Sequence, residues 1–257
     1  MNMELKDKVA LITGSSQGIG QAIAVRLAQD GANIVIDYRS HSEGAEETRR
    51  QVEAAGAKGV VVKADLSSVD QINYLVDSGV KAFGTIDILV NNAGIEKHKD
   101  FWEVTEDEYD AVMAVNLKGV FFTTQAFVRQ LQSDKRPGKV INISSVHEEL
   151  PFPHFTSYCM SKGGMKMMTR NLAIELAPFG ITVNAVAPGA IETPINKALL
   201  QNPAKLGALM ANIPLKRLGQ PADVADVVAF LAGGKSDYMT GTTVFVDGGL
   251  LWNYQEQ

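Results

Sequence analysis

Seven short runs of apolar, largely β-branched residues punctuate the chain: VALIT at 9–13, NIVID at 33–37, GVVVK at 59–63, IDILV at 86–90, KVINI at 139–143, ITVNAV at 181–186 and TVFV at 243–246. Unbroken apolar runs of this length suit strands buried on both faces, as in a parallel sheet. Between them, the segments 18–30, 42–55, 69–83, 107–133, 156–178 and 221–232 carry apolar residues at helical spacing with few breakers. This alternation predicts an α/β fold, one doubly wound parallel sheet of about seven strands with helices on both faces. No Pro- or Ser-rich linker and no fixed-period repeat divides it, so residues 1–257 read as a single domain. The stretch from about 188 to 220 stands apart. With Pro188, Gly189, Pro194, Pro203, Pro214 and Gly219 it predicts an irregular loop that follows a strand, placed to cover a substrate site.

Composition narrows the class of function. Of 257 residues, 46% are hydrophobic and 21% charged, and no apolar run approaches the roughly 20 residues of a membrane-spanning helix. The opening MNMELKDKVALITG lacks the basic, apolar and small-residue succession of a signal peptide, which predicts a cytoplasmic protein. Cys159 is the sole cysteine, so redox chemistry, if present, is borrowed from a coenzyme. The four histidines, at 41, 98, 147 and 154, have no ligand spacing with it, and no metal is expected. The net charge is −5 and the basic residues are scattered, which argues against nucleic acid as a partner.

The first strand runs directly into Thr13-Gly14-Ser15-Ser16-Gln17-Gly18-Ile19-Gly20, and a helix starts there. A backbone that must press against a pyrophosphate and then offer helix N–H groups to it needs glycine, because a Cβ blocks the approach. The position of the turn marks the sheet as Rossmann-type, although a bare glycine cluster also serves as a tight turn. Asp65, after the third strand, can accept from an adenine amine or cap the next helix. Asn91-Asn92-Ala93-Gly94, after the fourth, suits a ribose neighbour or plain turn chemistry. At the end of the second strand two rules conflict: Asp37 favours a ribose 2′-hydroxyl and thus NAD, whereas Arg39 favours a 2′-phosphate and thus NADP.

Tyr158 and Lys162 are four apart on a predicted helix, so they share a face, close enough for the ammonium to draw the phenol's pKa of about 10 downwards. Ser145 ends the strand KVINISS with its hydroxyl available to a cleft, and Asn116 lies in the long helix from 107.

Taken together, Thr13-Gly14-x-x-x-Gly18-x-Gly20, Asn91-Asn92-Ala93-Gly94, Asn116, Ser145, Tyr158-x-x-x-Lys162 and Pro188-Gly189 resemble the short-chain dehydrogenases/reductases, over essentially the whole chain. The resemblance implies an NAD(P)-dependent oxidoreductase acting on CH–OH groups. Tyr158 is then its general acid/base, and Lys162 lowers the tyrosine's pKa and binds the nicotinamide ribose. Ser145 orients the substrate oxygen, and Asn116 positions a water in a proton relay. It implies a coenzyme lying along Thr13, Gly14, Ser16, Gln17, Gly18, Ile19 and Gly20, then Tyr38, Arg39 and Ser40, Asp65 and Leu66, and Asn92, Ala93 and Gly94. Tyr158, Lys162, Pro188, Gly189, Ile191 and Thr193 would flank its nicotinamide end. The family's acidic NAD-selecting position falls on Tyr38, which leaves Asp37 one residue early and facing away, and Arg39 matches the 2′-phosphate arginine; NADP is favoured, with NAD tolerated.

Within the family, Ser144 to Pro153, Tyr158 to Lys166 and Pro188 to Asn196 resemble the bacterial glucose 1-dehydrogenases, implying a sugar substrate held by Ser145, His147, Tyr158, Glu96 and Asn196. The rivals are a 3-oxoacyl thioester or general carbonyl reductase and a cofactor-binding regulator without catalysis. The family's habit also implies a homotetramer across the helices at 107–133 and 156–178.

Overall fold

Strand side chains alternate between two buried faces, and that alternation sets the layers. In β1 (Val9–Ile12) Ala10 and Ile12 enter one core while Val9 and Leu11 enter the other. The computed structural model describes residues 4–194 and 202–253 and arranges seven strands, all parallel, in the order β3-β2-β1-β4-β5-β6-β7. The remaining strands are β2 (Asn33–Tyr38), β3 (Gly59–Lys63), β4 (Ile88–Asn91), β5 (Gly138–Ile143), β6 (Ile181–Pro188) and β7 (Thr243–Val246). Each falls on an expected run, to within two residues at the starts and ends.

One face is covered by α1 (Gly18–Gln29), α2 (Ser42–Ala54) and a late helix, α8 (Pro221–Ala232), through Ile23, Leu27, Val52, Val224 and Val228. The other is covered by α3 (Val69–Phe83), α5 (Val120–Asp134) and α6 (Thr156–Leu176), through Ile72, Leu75, Phe127, Leu131 and Leu176. The chain leaves β1 for β2 on one side and returns for β4 on the other. That reversal opens a crevice beyond the carboxyl ends of the strands, where ligands of such sheets bind.

Two expectations are corrected. The stretch from 188 to 220 is not wholly irregular: Asn202 caps a helix, α7 (Pro203–Asn212), by accepting from the Lys205 N–H, and Ile191 bridges to Gly219. Prolines at 203 and 214 mark its ends, since proline fits a first helical turn and a helix exit. The 107–133 segment is α4 (Glu106–Met113), a π-helical turn at Ala114–Gly119 and α5 in continuous succession. By length and composition it could cross a membrane, although no unbroken apolar run in it approaches 20 residues, but 56% of that window is buried, and Val115, Val120 and Phe127 explain its apolarity as packing.

Candidate active site

The cleft begins at the glycine turn. Gly14 has φ +60°, which side-chain-bearing residues rarely adopt. Its N–H donates to Asp37 Oδ2 at 2.9 Å, and the Ser15 N–H donates to the Asp37 carbonyl at 2.8 Å. A Cβ on Gly20 would lie 2.5 Å from Asn92 Nδ2, so the third glycine allows β4's loop to close on the turn. Gln17, which precedes α1, makes no side-chain cap, and the first N–H groups of the helix are left to the cleft. A pyrophosphate fits that arrangement of open donors beside glycine.

Thr13 and Asn91 take other places than expected. Thr13 is buried behind the turn, where its Oγ1 accepts from the Asn92 and Ala93 N–H groups at 2.9 and 3.0 Å, so it braces the cleft without lining it. Asn91 Nδ2 donates to Asn142 Oδ1 and Thr124 Oγ1, and Asn142 Nδ2 donates to Thr169 Oγ1. That buried chain ties β4 and β5 to α5 and α6 beneath the site. Asn92, by contrast, lines the cleft and donates to the Thr13 and Gly14 carbonyls. Asp65 is no helix cap: it accepts from Ser67, while Ser68 caps α3, and its carboxylate faces the cleft wall, held low by the Ser67 N–H and, further off, Arg39.

Asp37 also departs from expectation. Its carboxyl turns onto the glycine turn, in the cleft wall that continues through Tyr38, Arg39 and Ser40. It is 2% exposed, its Oδ1 has no partner, and burial pushes its pKa up to about 7. The Gly14 N–H attracts the side chain, so position along a strand misjudged its direction.

At the other end α6 carries Tyr158 and Lys162 on one face against the end of β5. Tyr158 is half-buried in the cleft wall, its phenol beside the Ser145 hydroxyl. Lys162, 3% exposed, donates from Nζ to the Ile143 carbonyl at 2.9 Å and lies 5.6 Å from the Tyr158 ring centre. The expected low pKa of the phenol is not what the protein alone sets up. Burial pushes Tyr158 up to about 12 against the pull of Ser145, and burial pushes Lys162 down to about 8. The ammonium binds a carbonyl rather than the phenol oxygen, which removes much of its expected effect.

Asn116 sits in the π turn, a widening often found at functional sites. Its side chain accepts from the Ile95 N–H and donates to the Ile95 carbonyl, both at 2.8 Å, so it holds the loop after β4 instead of facing the cleft. Its Nδ2 also donates to Ser161 Oγ at 3.2 Å, and a Cβ on Gly94 would lie 3.5 Å from its Oδ1 and 3.9 Å from Lys162 Nζ, so it ties the loop to α6 close to the lysine.

The cleft, of about 720 Å³, joins these ends. Apart from Thr13 and Asn116, the expected coenzyme and catalytic residues line it, as do Glu96 and His147; Asn196 lies outside the described residues. Burial pushes the Glu96 carboxyl up and the His147 imidazole down. The His147 ring nitrogen Nδ1 pairs with the Leu150 carbonyl at 3.0 Å, and its ring stacks on Phe152 at 4.1 Å, which stacks in turn on Phe155. Phe152, Leu150, Leu209, Asn212 and Leu250 line the substrate end and were not anticipated. They converge from the segment between β5 and α6, from α7 and from the turn after β7, and no local spacing marks them. Among the described residues no cluster of His, Cys, Asp or Glu is placed to hold a metal ion.

A family model described as enoyl-(acyl carrier protein) reductase matches residues 14–251. The chain is 45% identical to a 3beta-hydroxysteroid dehydrogenase of Eggerthella lenta, over 96% of this chain and 95% of that protein. It is 40% identical to glucose 1-dehydrogenase 2 of Bacillus subtilis strain 168, over 97% of each. Its fold matches the crystal structure of a gluconate 5-dehydrogenase from Burkholderia cenocepacia J2315 in complex with NADP and tartrate, with a TM-score of 0.92, 38% identity and 98% of each chain covered.

Proposed function

The chain belongs to the short-chain dehydrogenases/reductases, and from that premise we propose that it transfers a hydride between a secondary alcohol and NADP, with NAD a poorer substitute. The observation that carries this reading is a single cleft with the open glycine turn at one end and the Tyr158–Ser145 pair at the other. The turn and the first N–H groups of α1 hold the pyrophosphate, Arg39 and Ser40 a 2′-phosphate, and Lys162 the nicotinamide ribose. The bound coenzyme supplies the hydride acceptor or donor. Ser145 holds the substrate oxygen, and Tyr158 accepts the alcohol proton or returns it to the carbonyl. Asn116 is a positioning residue, acting through Ile95. Because burial keeps the phenol protonated near neutrality, carbonyl reduction starts from the ready acid, and alcohol oxidation speeds up as pH rises.

For the substrate we propose glucose, oxidised at C1. The Bacillus relative, and Glu96, His147 and Asn212 around Ser145, support it. A second reading rests on the His147–Phe152–Phe155 stack and Leu150, Leu209 and Leu250: a secondary alcohol on a flat apolar body, as the Eggerthella relative's name suggests for that protein. His147, with one nitrogen already paired, has less to offer a polyol. Rates of NADPH formation with glucose and with a 3β-hydroxysteroid, beside NADPH consumption with a 3-oxoacyl thioester, decide among the three. Coenzyme binding without turnover of any would point to a regulator. We also propose a cytoplasmic homotetramer, supported by exposed Phe121, Met160, Met167 and Ile174 on α5 and α6. Light scattering is the check, and a stable monomer contradicts it.

A further inference from the structure

The turn after β5 carries a carboxylate that the proposed chemistry does not use. Val146–Glu148 form one 3-10 turn, in which the Glu148 N–H donates to the Ser145 carbonyl at 3.0 Å, and both carboxylate oxygens of Glu148 are shut off from solvent without a hydrogen-bond partner. A carboxylate so placed is costly unless an opposite charge stands near. The residues on either side show what it faces. Tyr158, Lys162 and Lys166 follow one another on α6 at intervals of four, on one face. The Ser145 hydroxyl lies beside the Tyr158 phenol, and Glu149 pairs with Lys166 Nζ at 2.6 Å, so the stretch 145–149 runs along that face with Glu148 between its two fixed ends, opposite Lys162. The lysine, 3% exposed, uses one of its three ammonium hydrogens on the Ile143 carbonyl. Other charged or titratable groups around it are engaged or turned away: His147 pairs with the Leu150 carbonyl, Lys166 with Glu149, Glu96 in the loop after β4 acts on Tyr158, and Lys118 in the π turn is exposed.

We propose that Glu148 is a positioning residue: its carboxylate is the counter-charge that keeps the Lys162 ammonium charged, and so able to hold the nicotinamide ribose. The inference rests on the reading of Lys162 as the ribose-binding lysine. The two make no direct bond, so the carboxylate acts across the short space between turn and helix. Burial drives a lysine towards the neutral amine, and Lys162 sits at about 8 with Glu148 pulling the other way. Without that carboxylate the ammonium is lost nearer neutrality, and with it a donor hydrogen and a positive charge beside an anionic coenzyme. Because Glu148 accepts no hydrogen bond, an apolar side chain of similar length can replace it with little loss of stability, which separates a role through charge from a role in holding the turn.

The test is a fluorescence titration of NADPH and NADH on the full chain at about pH 6 and about pH 8.5, in the wild type, Glu148→Gln, Glu148→Met and Glu149→Gln. Both Glu148 variants should bind both coenzymes within about twofold of the wild type at the acid end and several-fold more weakly at the alkaline end, the difference approaching tenfold if the lysine's pKa falls by about one. Glu149→Gln breaks only the pair with Lys166 and should follow the wild type at both. Glu148→Met should also unfold at no lower a denaturant concentration than the wild type. An affinity ratio to the wild type that is the same at both pH values overturns the proposal, whatever its size. So does the weakening of one coenzyme alone, since the ribose is common to both. Should Glu148→Gln not fold, Glu148→Met is read in its place, and failure of both to fold makes the carboxylate a structural part of the turn and contradicts the counter-charge. A flat ratio in a protein that binds both coenzymes leaves the roles of Lys162 and Tyr158 standing, whereas binding of neither by the wild type overturns that reading and the proposal with it.

Discussion

The two ends of the cleft are built from different materials. At the glycine turn, backbone does the work: open N–H groups, a left-handed φ at Gly14 and carbonyls held by Asn92. At the tyrosine end, side chains do it, buried on α6 and β5 and shifted in opposite directions by the loss of water. A backbone site tolerates changes in the side chains around it and depends on its braces. A side-chain site fails at once when one atom is removed. The same difference separates graded effects on coenzyme affinity from abrupt effects on rate.

Tyr158→Phe should therefore produce the largest effect, a fall in turnover of about a hundredfold or more with coenzyme affinity nearly unchanged, read by steady-state kinetics and NADPH binding. Retention of more than about a tenth of the rate would remove the tyrosine from its role. At the other end, Arg39→Ala should raise the NADP Michaelis constant about ten- to a hundredfold and leave NAD little altered, since charge-assisted bonds to a phosphate contribute roughly 1.5 to 3 kcal/mol. An equal effect on both coenzymes would place Arg39 elsewhere on the adenosine. Thr13→Val tests the braces. It strips the acceptor from the Asn92 and Ala93 N–H groups, which should lower stability by about 1–3 kcal/mol in denaturant titration and weaken both coenzymes together. A change confined to NADP would contradict its role as a brace.

The contrast also explains what could be read before the fold was known. The strands and most helices follow from apolar runs, and the glycine turn from a conformational need that few residues meet, so both are visible in local sequence. Tyr158 and Lys162 are legible because one helical turn brings them together. Thr13 and Asn116 belong to the site, Thr13 as a brace behind the turn and Asn116 as a tie to the loop after β4: their hydrogen-bond partners, 79 and 21 residues away, decide where their side chains go. The direction of Asp37 depended on a Gly14 N–H 23 residues earlier, which strand alternation does not encode. The substrate wall is least legible of all, because Phe152, Leu209 and Leu250 meet only when a loop before α6, helix α7 and the turn after β7 converge.

The rate of NADPH formation from NADP and a secondary alcohol, measured across pH for the wild type and Tyr158→Phe, tests the central claim most directly. The account predicts turnover with glucose or with an alcohol on an apolar ring, rising from about pH 7 towards pH 9 as the buried phenol gives up its proton more readily, and almost none in the variant. A wild type that turns over NAD but refuses NADP, or a variant that keeps the wild-type rate and pH profile, would contradict it.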